Sequence, residues 1–497
     1  MNDATIKILL TTPLFLYSLV LHAATHHYQL TIDPLYHRLG VHACFGSSTT
    51  ALQAQDPAAG RLLAQVKLQP KNRYRLSVSG RHLTFSKPLQ KKACISYQVD
   101  LKLASRLLSQ SEIRRFGTDL LLSPSFWLWL PAERTHADQI RIAVSLPAGV
   151  AISTPWKPAS GCGTKLCYRM VNTPGHWPAR IAFGRFRIIR VPAGNTYLRV
   201  ALLHRQKLGN PSKYLKWLAA AARAVTTLYG EFPDQAPQVF VIPTGHKRSA
   251  VPFAQVLRGG GIGIQFFVDQ YRPLADFLRD WNATHELSHL FLPFIERADL
   301  WLSEGFSTYL QNILMTRARL LTEAENWQLM HNGFRLAQDN APGKTLRYNT
   351  RFMHRDNAYL RVYWSGAAIA LLADVMLRRD SGNRQNLGSV LKKFNRCCMD
   401  HTKAWSATEV LAKLDALSGT TVFRGLAGRY LSSTRFPELG RLYRELGIRV
   451  HGKRISLTER ARFSHLRRSL TGSSPQHPRS LSEQEPEEIE LDDQDRR

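Results

Sequence analysis

Residues 285 to 289 read His-Glu-Leu-Ser-His, and after a short interval the chain continues Leu300-Trp301-Leu302-Ser303-Glu304-Gly305. Few local patterns constrain a fold as tightly, because both segments must be helices lying side by side for the residues to act together. On a helix His285 and His289 stand at i and i+4 and project from one face, so their imidazoles can share a metal, with Glu286 beside them. The apolar spacing of Phe277, Trp281, Leu287, Leu290 and Phe291 predicts a helix over 276–292, stopped by Pro293. A second helix is predicted over 302–313. A turn through Glu296 to Asp299 returns it antiparallel and brings Glu304 to the histidines as third ligand. Two imidazoles and one carboxylate leave one zinc position open for water. The donor set implies one Zn2+ ion as cofactor, favoured over other first-row ions by ligand type.

The joint pattern, His-Glu-x-x-His followed by Trp-Leu-Ser-Glu-Gly-Phe-Ser-Thr-Tyr, resembles the gluzincin zinc metallopeptidases, whose third ligand is that glutamate. Tyr363-Trp364-Ser365-Gly366-Ala367, through Leu371, Asp374 and Arg378-Arg379, is similar to the Tyr-x-x-Gly helix of the same enzymes. Leu417-Ser418-Gly419, Phe423, Tyr430 and Leu446-Gly447-Ile448 fall in the order of the glycyl aminopeptidase family, so the likeness spans roughly residues 200 to 450. The resemblance implies an α+β fold: an N-terminal β-sandwich, a thermolysin-like zinc peptidase domain and a C-terminal helical region. It implies peptide-bond hydrolysis, with Glu286 as general base and Tyr363 as the donor to the developing oxyanion, and peptides as the substrates. Tyr359, one turn before Tyr363, is the competing donor.

Two departures from that pattern matter. Aminopeptidases of the wider group carry a Gly-x-Met-Glu-Asn strand whose glutamate grips the substrate's free amino terminus. Here the corresponding run is Arg258-Gly259-Gly260-Gly261-Ile262-Gly263-Ile264-Gln265, with no acid. Read as a glycine-rich edge strand, it lets a peptide backbone approach closely, so Gly259, Gly260, Gly261 and Gly263 are the predicted substrate-binding residues, without an anionic anchor. Many members of the glycyl aminopeptidase family also carry a PDZ module near the C-terminus, for which the sequence given offers no room.

Other residues near the motifs read as structural. Trp301, Phe306 and Tyr309 share a helical face and are expected to pack beneath the metal. His354 and His401 have no partner at ligand spacing, and Asp374, on a mostly apolar helix, is expected to hold a buried hydrogen bond.

Residues 1–24 have the layout of a secretory signal: Lys7, an apolar run from Ile8 to Leu21, then His22-Ala23-Ala24. The run is shorter than the about 20 apolar residues of a membrane span, and no cysteine follows it. Export, to a periplasm or beyond, is the expectation, with membrane association through an uncleaved segment as its variant. Six cysteines agree with an oxidising compartment. Cys162 and Cys167 bracket a tight stretch, Cys44 and Cys94 can staple the N-terminal domain, and adjacent Cys397 and Cys398 have no assigned partner.

The expected domains are 25–205, a β-sandwich of alternating strands such as Tyr28–Ile32, Tyr74–Val78, Ile95–Val99 and Ile140–Val144; 206–395, the catalytic domain, opening with a helix capped by Ser212; and 396–466, helical. Residues 467–497 are Ser-, Pro- and charge-rich, with an acidic run from Glu483 to Asp495, and are expected to be disordered. The net charge of the whole chain is +30, and because the acidic run is confined to that tail the rest is more basic still, with basic residues spread through every segment. With no nucleic-acid module, nucleic acid is not an expected partner, and an anionic envelope surface fits an exported chain better. The leading reading is therefore an exported zinc-dependent metallopeptidase, with aminopeptidase action open. Its rival is a non-catalytic or weakly catalytic protein that binds peptides or envelope polymers on a peptidase fold.

Overall fold

The computed structural model describes residues 23–70, 74–135, 137–164 and 166–472. The predicted signal segment up to residue 22 and the acidic run of the tail lie outside them.

The N-terminal region is β-rich. A seven-stranded sheet and two four-stranded sheets enclose one apolar core. Alternation builds it: along Thr25–Ile32, Tyr28, Leu30 and Ile32 point inward while the residues between them face out. Tyr28 and Tyr97 hydroxyls donate to the carbonyls of Trp129 and Trp127, so the buried phenols carry no unpaired donor. Cys44 is bonded to Cys94 across paired strands, Cys162 to Cys167, and Cys397 to Cys398.

Sheet pairing moves the expected boundary at residue 205. Ile188–Ala193 and Thr196–Leu202 belong to a five-stranded sheet with Gln238–Pro243, Gly263–Val268 and Phe253–Leu257, in that order. Thr196–Leu202, Gln238–Pro243 and Gly263–Val268 run parallel, and Phe253–Leu257 closes the sheet as an antiparallel edge. The helix Ser212–Thr226 packs on this sheet. Ser212 is its first helical residue rather than its cap, since no side-chain bond closes the N-terminus.

Two further boundaries shift. Leu387–Cys398 is one helix, so the chain does not change character at residue 395. The C-terminal region holds the hairpin Ile448–His451 and Arg454–Leu457 as well as helices. A final helix, Ser464–Thr471, occupies the start of the expected disordered tail. It is held because Leu466 and Leu470 enter the core and the buried Arg467 faces Glu323 and Glu459. Tyr359–Asp380 is long and apolar enough to cross a membrane, yet 72% of its most apolar window is buried within the protein.

Candidate active site

The metal helix is shorter than its periodicity suggests. Leu274–Arg279 forms one helix, the chain extends at Asp280, and Asn282–Ser288 forms a second that tightens to a 3-10 turn over His289–Phe291. The break has a local cause: Asp280 accepts from the backbone N–H of Asn282 and from its Nδ2, a turn that competes with helix continuation. The glutamate helix runs longer than expected, Leu300–Arg317, and follows a 3-10 turn at Arg297–Asp299. Trp301, Phe306 and Tyr309 are buried beneath the site.

The two helices bring His285, His289 and Glu304 together, with one ligand atom from each lying within 4.8 Å of the others. Glu304 Oε2 is 3.3 Å from His285 Nε2 and 3.6 Å from His289 Nε2. The far ring nitrogens are engaged. His285 Nδ1 donates to Gln311 Oε1 at 2.6 Å, and His289 Nδ1 lies 3.0 Å from the hydroxyls of both Ser303 and Ser307. Such outer contacts fix ring orientation and leave each Nε2 turned inward, the arrangement of a metal-binding imidazole. The helix ends on a charge: buried Arg258 donates from Nη2 to the carbonyls of His289 and Leu292.

Tyr363 reaches the same point from a third helix, Tyr359–Asp380. Its ring stacks on His285 at 6.2 Å between centroids, and its hydroxyl hydrogen-bonds Glu304. Tyr359 turns away and bonds His354 Nδ1, so Tyr363 is the tyrosine of the site. The crossing that delivers it needs two glycines. A Cβ on Gly305 would lie 2.3 Å from Gly366 Cα, and one on Gly366 would lie 2.1 Å from the Trp301 carbonyl oxygen. Gly305 follows Glu304 directly and Gly366 lies one turn after Tyr363, so the backbone contact sets the ligand-to-tyrosine distance. Further along, Asp374 accepts from Tyr309 Oη, Arg378 Nε and the Leu387 N–H, the buried structural role expected of it.

Burial raises the Glu304 carboxyl, but the imidazoles of His289 and His285 beside it outweigh burial and hold it down to about 2; Glu304 in turn outweighs the effect of burial on His285 and raises it. Burial drives His289 to about 3, so it is neutral and able to ligate. Burial pushes Glu286 up to about 7; His285 opposes this and the charge of Glu304 adds to it. Glu304 and the inward-turned nitrogens of His285 and His289 thus face one point, and the donor set of nitrogen, nitrogen and carboxylate oxygen suits zinc. The residues fit the ion.

These groups sit in a cleft of about 540 Å³. One wall is the edge strand Phe253–Leu257, paired on one side only, and its Val256 N–H donates to the Glu286 carboxylate. Here the glycine expectation is corrected. Gly259, Gly260 and Gly261 form a turn, and Gly263 begins the inner strand Gly263–Val268. The space that glycine opens is taken by this chain: Cβ atoms would meet Trp177 O at Gly259, Met170 at Gly260, Pro155 O at Gly261 and Gln238 Oε1 at Gly263. They serve the junction with the N-terminal region, and the strand facing the cleft carries Gln255 and no acid.

Comparison with solved structures follows from this geometry. An aminopeptidase N family protein from Idiomarina loihiensis superposes with a TM-score of 0.62 at 15% identity, covering 85% of this chain and 78% of that one. An M1 zinc metallopeptidase from Deinococcus radiodurans superposes at 0.51 with 16% identity, covering 84% and 94%. The chain has the M1 zinc metallopeptidase fold. A variant of the Deinococcus enzyme, with a Tyr-Ser-Ala substrate bound, matches equally well at 0.51 and 15% identity, covering 84% and 95%. No family model matches this sequence, and no curated protein sequence does.

Within the M1 fold, sequence reasoning missed Gln311, Ser303, Ser307, Arg258 and the strand Phe253–Leu257. Some signal was present: Gln311 lies seven residues after Glu304, two turns along the same face, and Ser303 and Ser307 are at i and i+4. The strand gave none, because its role depends on its position in the sheet.

Proposed function

We propose that this protein is an exported zinc-dependent metallopeptidase that hydrolyses peptide bonds. The observation that carries the reading is the convergence of His285, His289, Glu304, Glu286 and Tyr363, from three helices, on one cleft beside a free strand edge. His285, His289 and Glu304 would hold one zinc ion, which supplies Lewis acidity, lowering the pKa of a water from about 15.7 to about 7 and polarising the scissile carbonyl.

The chain's own residues do the rest. An extended peptide pairs with the unpaired edge of Phe253–Leu257, which orients its carbonyl towards the helices. Glu286 takes the proton of the attacking water and returns it to the leaving amine. Its carboxylate is oriented by the Val256 N–H, so the strand that lines the cleft also positions the base. The Tyr363 hydroxyl, beside Glu304, donates to the oxyanion as charge develops there. The edge strand's lack of an acid argues against recognition of a free amino terminus from that strand, so aminopeptidase action would need an anchor elsewhere. Three disulfides support export, since such bonds persist in oxidising compartments. The net charge of +30 supports residence against an anionic envelope surface.

The test is cleavage of a mixed peptide library by zinc-loaded protein and by Glu286→Gln, with metal content assayed in both. Both proteins should hold zinc, and the variant should lose about 10² to 10⁴ in rate. A wild type that binds zinc and cuts nothing refutes the reading; the cut positions distinguish exopeptidase from endopeptidase.

A further inference from the structure

We propose that Asp280, which lines the cleft together with Trp281 and Phe253, forms a subsite for a lysine or arginine side chain of the substrate near the scissile bond. The proposal rests on the peptidase reading and adds a substrate class to it. Three carboxylates line the cleft, Asp280, Glu286 and Glu304, and the last two belong to the base and the metal site. Asp280 alone is uncommitted by charge. It accepts from Val251 N at 3.1 Å, Asn282 N at 2.9 Å and Asn282 Nδ2 at 2.9 Å, and no cation pairs with it among the described residues. Those three bonds fix the carboxylate in place, and the two on Oδ1 leave Oδ2 with a single donor and room for another.

The surroundings match a cation. Arg258, the one Lys or Arg among the residues lining the cleft, turns its Nη2 to the carbonyls of His289 and Leu292 and makes no ion pair with Asp280. Trp281 and Phe253 line the cleft and remain 46% and 50% exposed, so aromatic surface is open to a substrate there. An acid beside aromatic faces binds ammonium or guanidinium by charge and by ring quadrupole together. Asp280 lies in the extended break just before the metal helix, and the ring of Trp281, the next residue, lies 5.3 Å from that of His285, so the carboxylate stands on the segment that leads into the ligands.

The experiment uses matched peptides bearing lysine or norleucine, its uncharged counterpart, at each position flanking the cut, with wild type and Asp280→Asn. The wild type should favour lysine by about tenfold to a hundredfold in kcat/KM at one position, and Asp280→Asn should bring that ratio towards one. A wild-type ratio near one at every position overturns the proposal. So does a variant that slows both peptides alike and keeps the ratio, as a purely structural role for Asp280 requires. Calorimetric titration of the same peptides into the Glu286→Gln protein reads the subsite without turnover. Tighter binding of lysine peptides by this variant, alongside a wild type that cuts nothing, would keep the subsite and remove the peptidase reading; equal binding would remove the subsite.

Discussion

Gly305 with Gly366, and Gly259 through Gly261, are glycines for the same reason and for different ends. In each set another backbone lies where a side chain would begin: Gly366 Cα is 2.3 Å from a Cβ on Gly305, and Pro155 O is 2.1 Å from one on Gly261. The first pair lets two helices cross close enough to join Glu304 and Tyr363. The second set lets a turn seat against the N-terminal region. A run of glycines in a sequence therefore announces close approach without naming what approaches. At 258–265 the sequence reading supplied a substrate peptide, and the structure supplies Trp177, Pro178 and Pro155.

Adding a methyl group to each set separates their roles. Gly366→Ala must push the helices apart at a backbone contact, so we expect a stability loss of about 3 kcal/mol or more in urea unfolding, with a loss of activity beyond what the remaining folded fraction explains. If Gly366→Ala folds and works normally, the crossing does not set the site geometry. Tyr363→Phe should leave stability and metal content nearly unchanged and lower kcat by about 10² to 10³, with KM little altered, in steady-state assays. A drop confined to KM would make Tyr363 a binding residue instead.

Gly261→Ala should cost about 1 to 3 kcal/mol of stability while the folded enzyme keeps its kcat and KM, because the clash lies at the junction. A rise in KM for long peptides, with stability intact, would restore the glycine run to the substrate path. The smallest effect belongs to Ser303→Ala. Ser307 faces the same nitrogen of His289 at the same distance, so zinc affinity measured by competition with a chelator should fall by less than about tenfold, whereas Ser303→Ala with Ser307→Ala should approach the about 10- to 100-fold cost of losing an outer-shell partner.

Much of the centre was legible because its logic is local. Helical spacing alone puts His285 and His289 on one face, and the identity of the residues after the turn points Glu304 back at them. The helix limits were less so: the pattern of Phe277, Trp281 and Leu287 runs through Asp280, where a side-chain turn with Asn282 breaks the helix. The domain limits failed for a related reason. Ile188–Leu202 alternates like any strand pair, and only its pairing with Gln238–Pro243 assigns it to the catalytic sheet. Arg467 looked like part of a charged tail, yet it is buried between two acids.

By itself the sequence determined which residues are candidate ligands, the carboxylate beside them and the helical phase that presents both, since each is fixed within a few residues by backbone geometry. The tertiary structure decided which strand lines the cleft, which of two tyrosines reaches Glu304, and what the glycines touch. Those depend on contacts between segments far apart in the chain, and no local periodicity encodes the partner in such a contact.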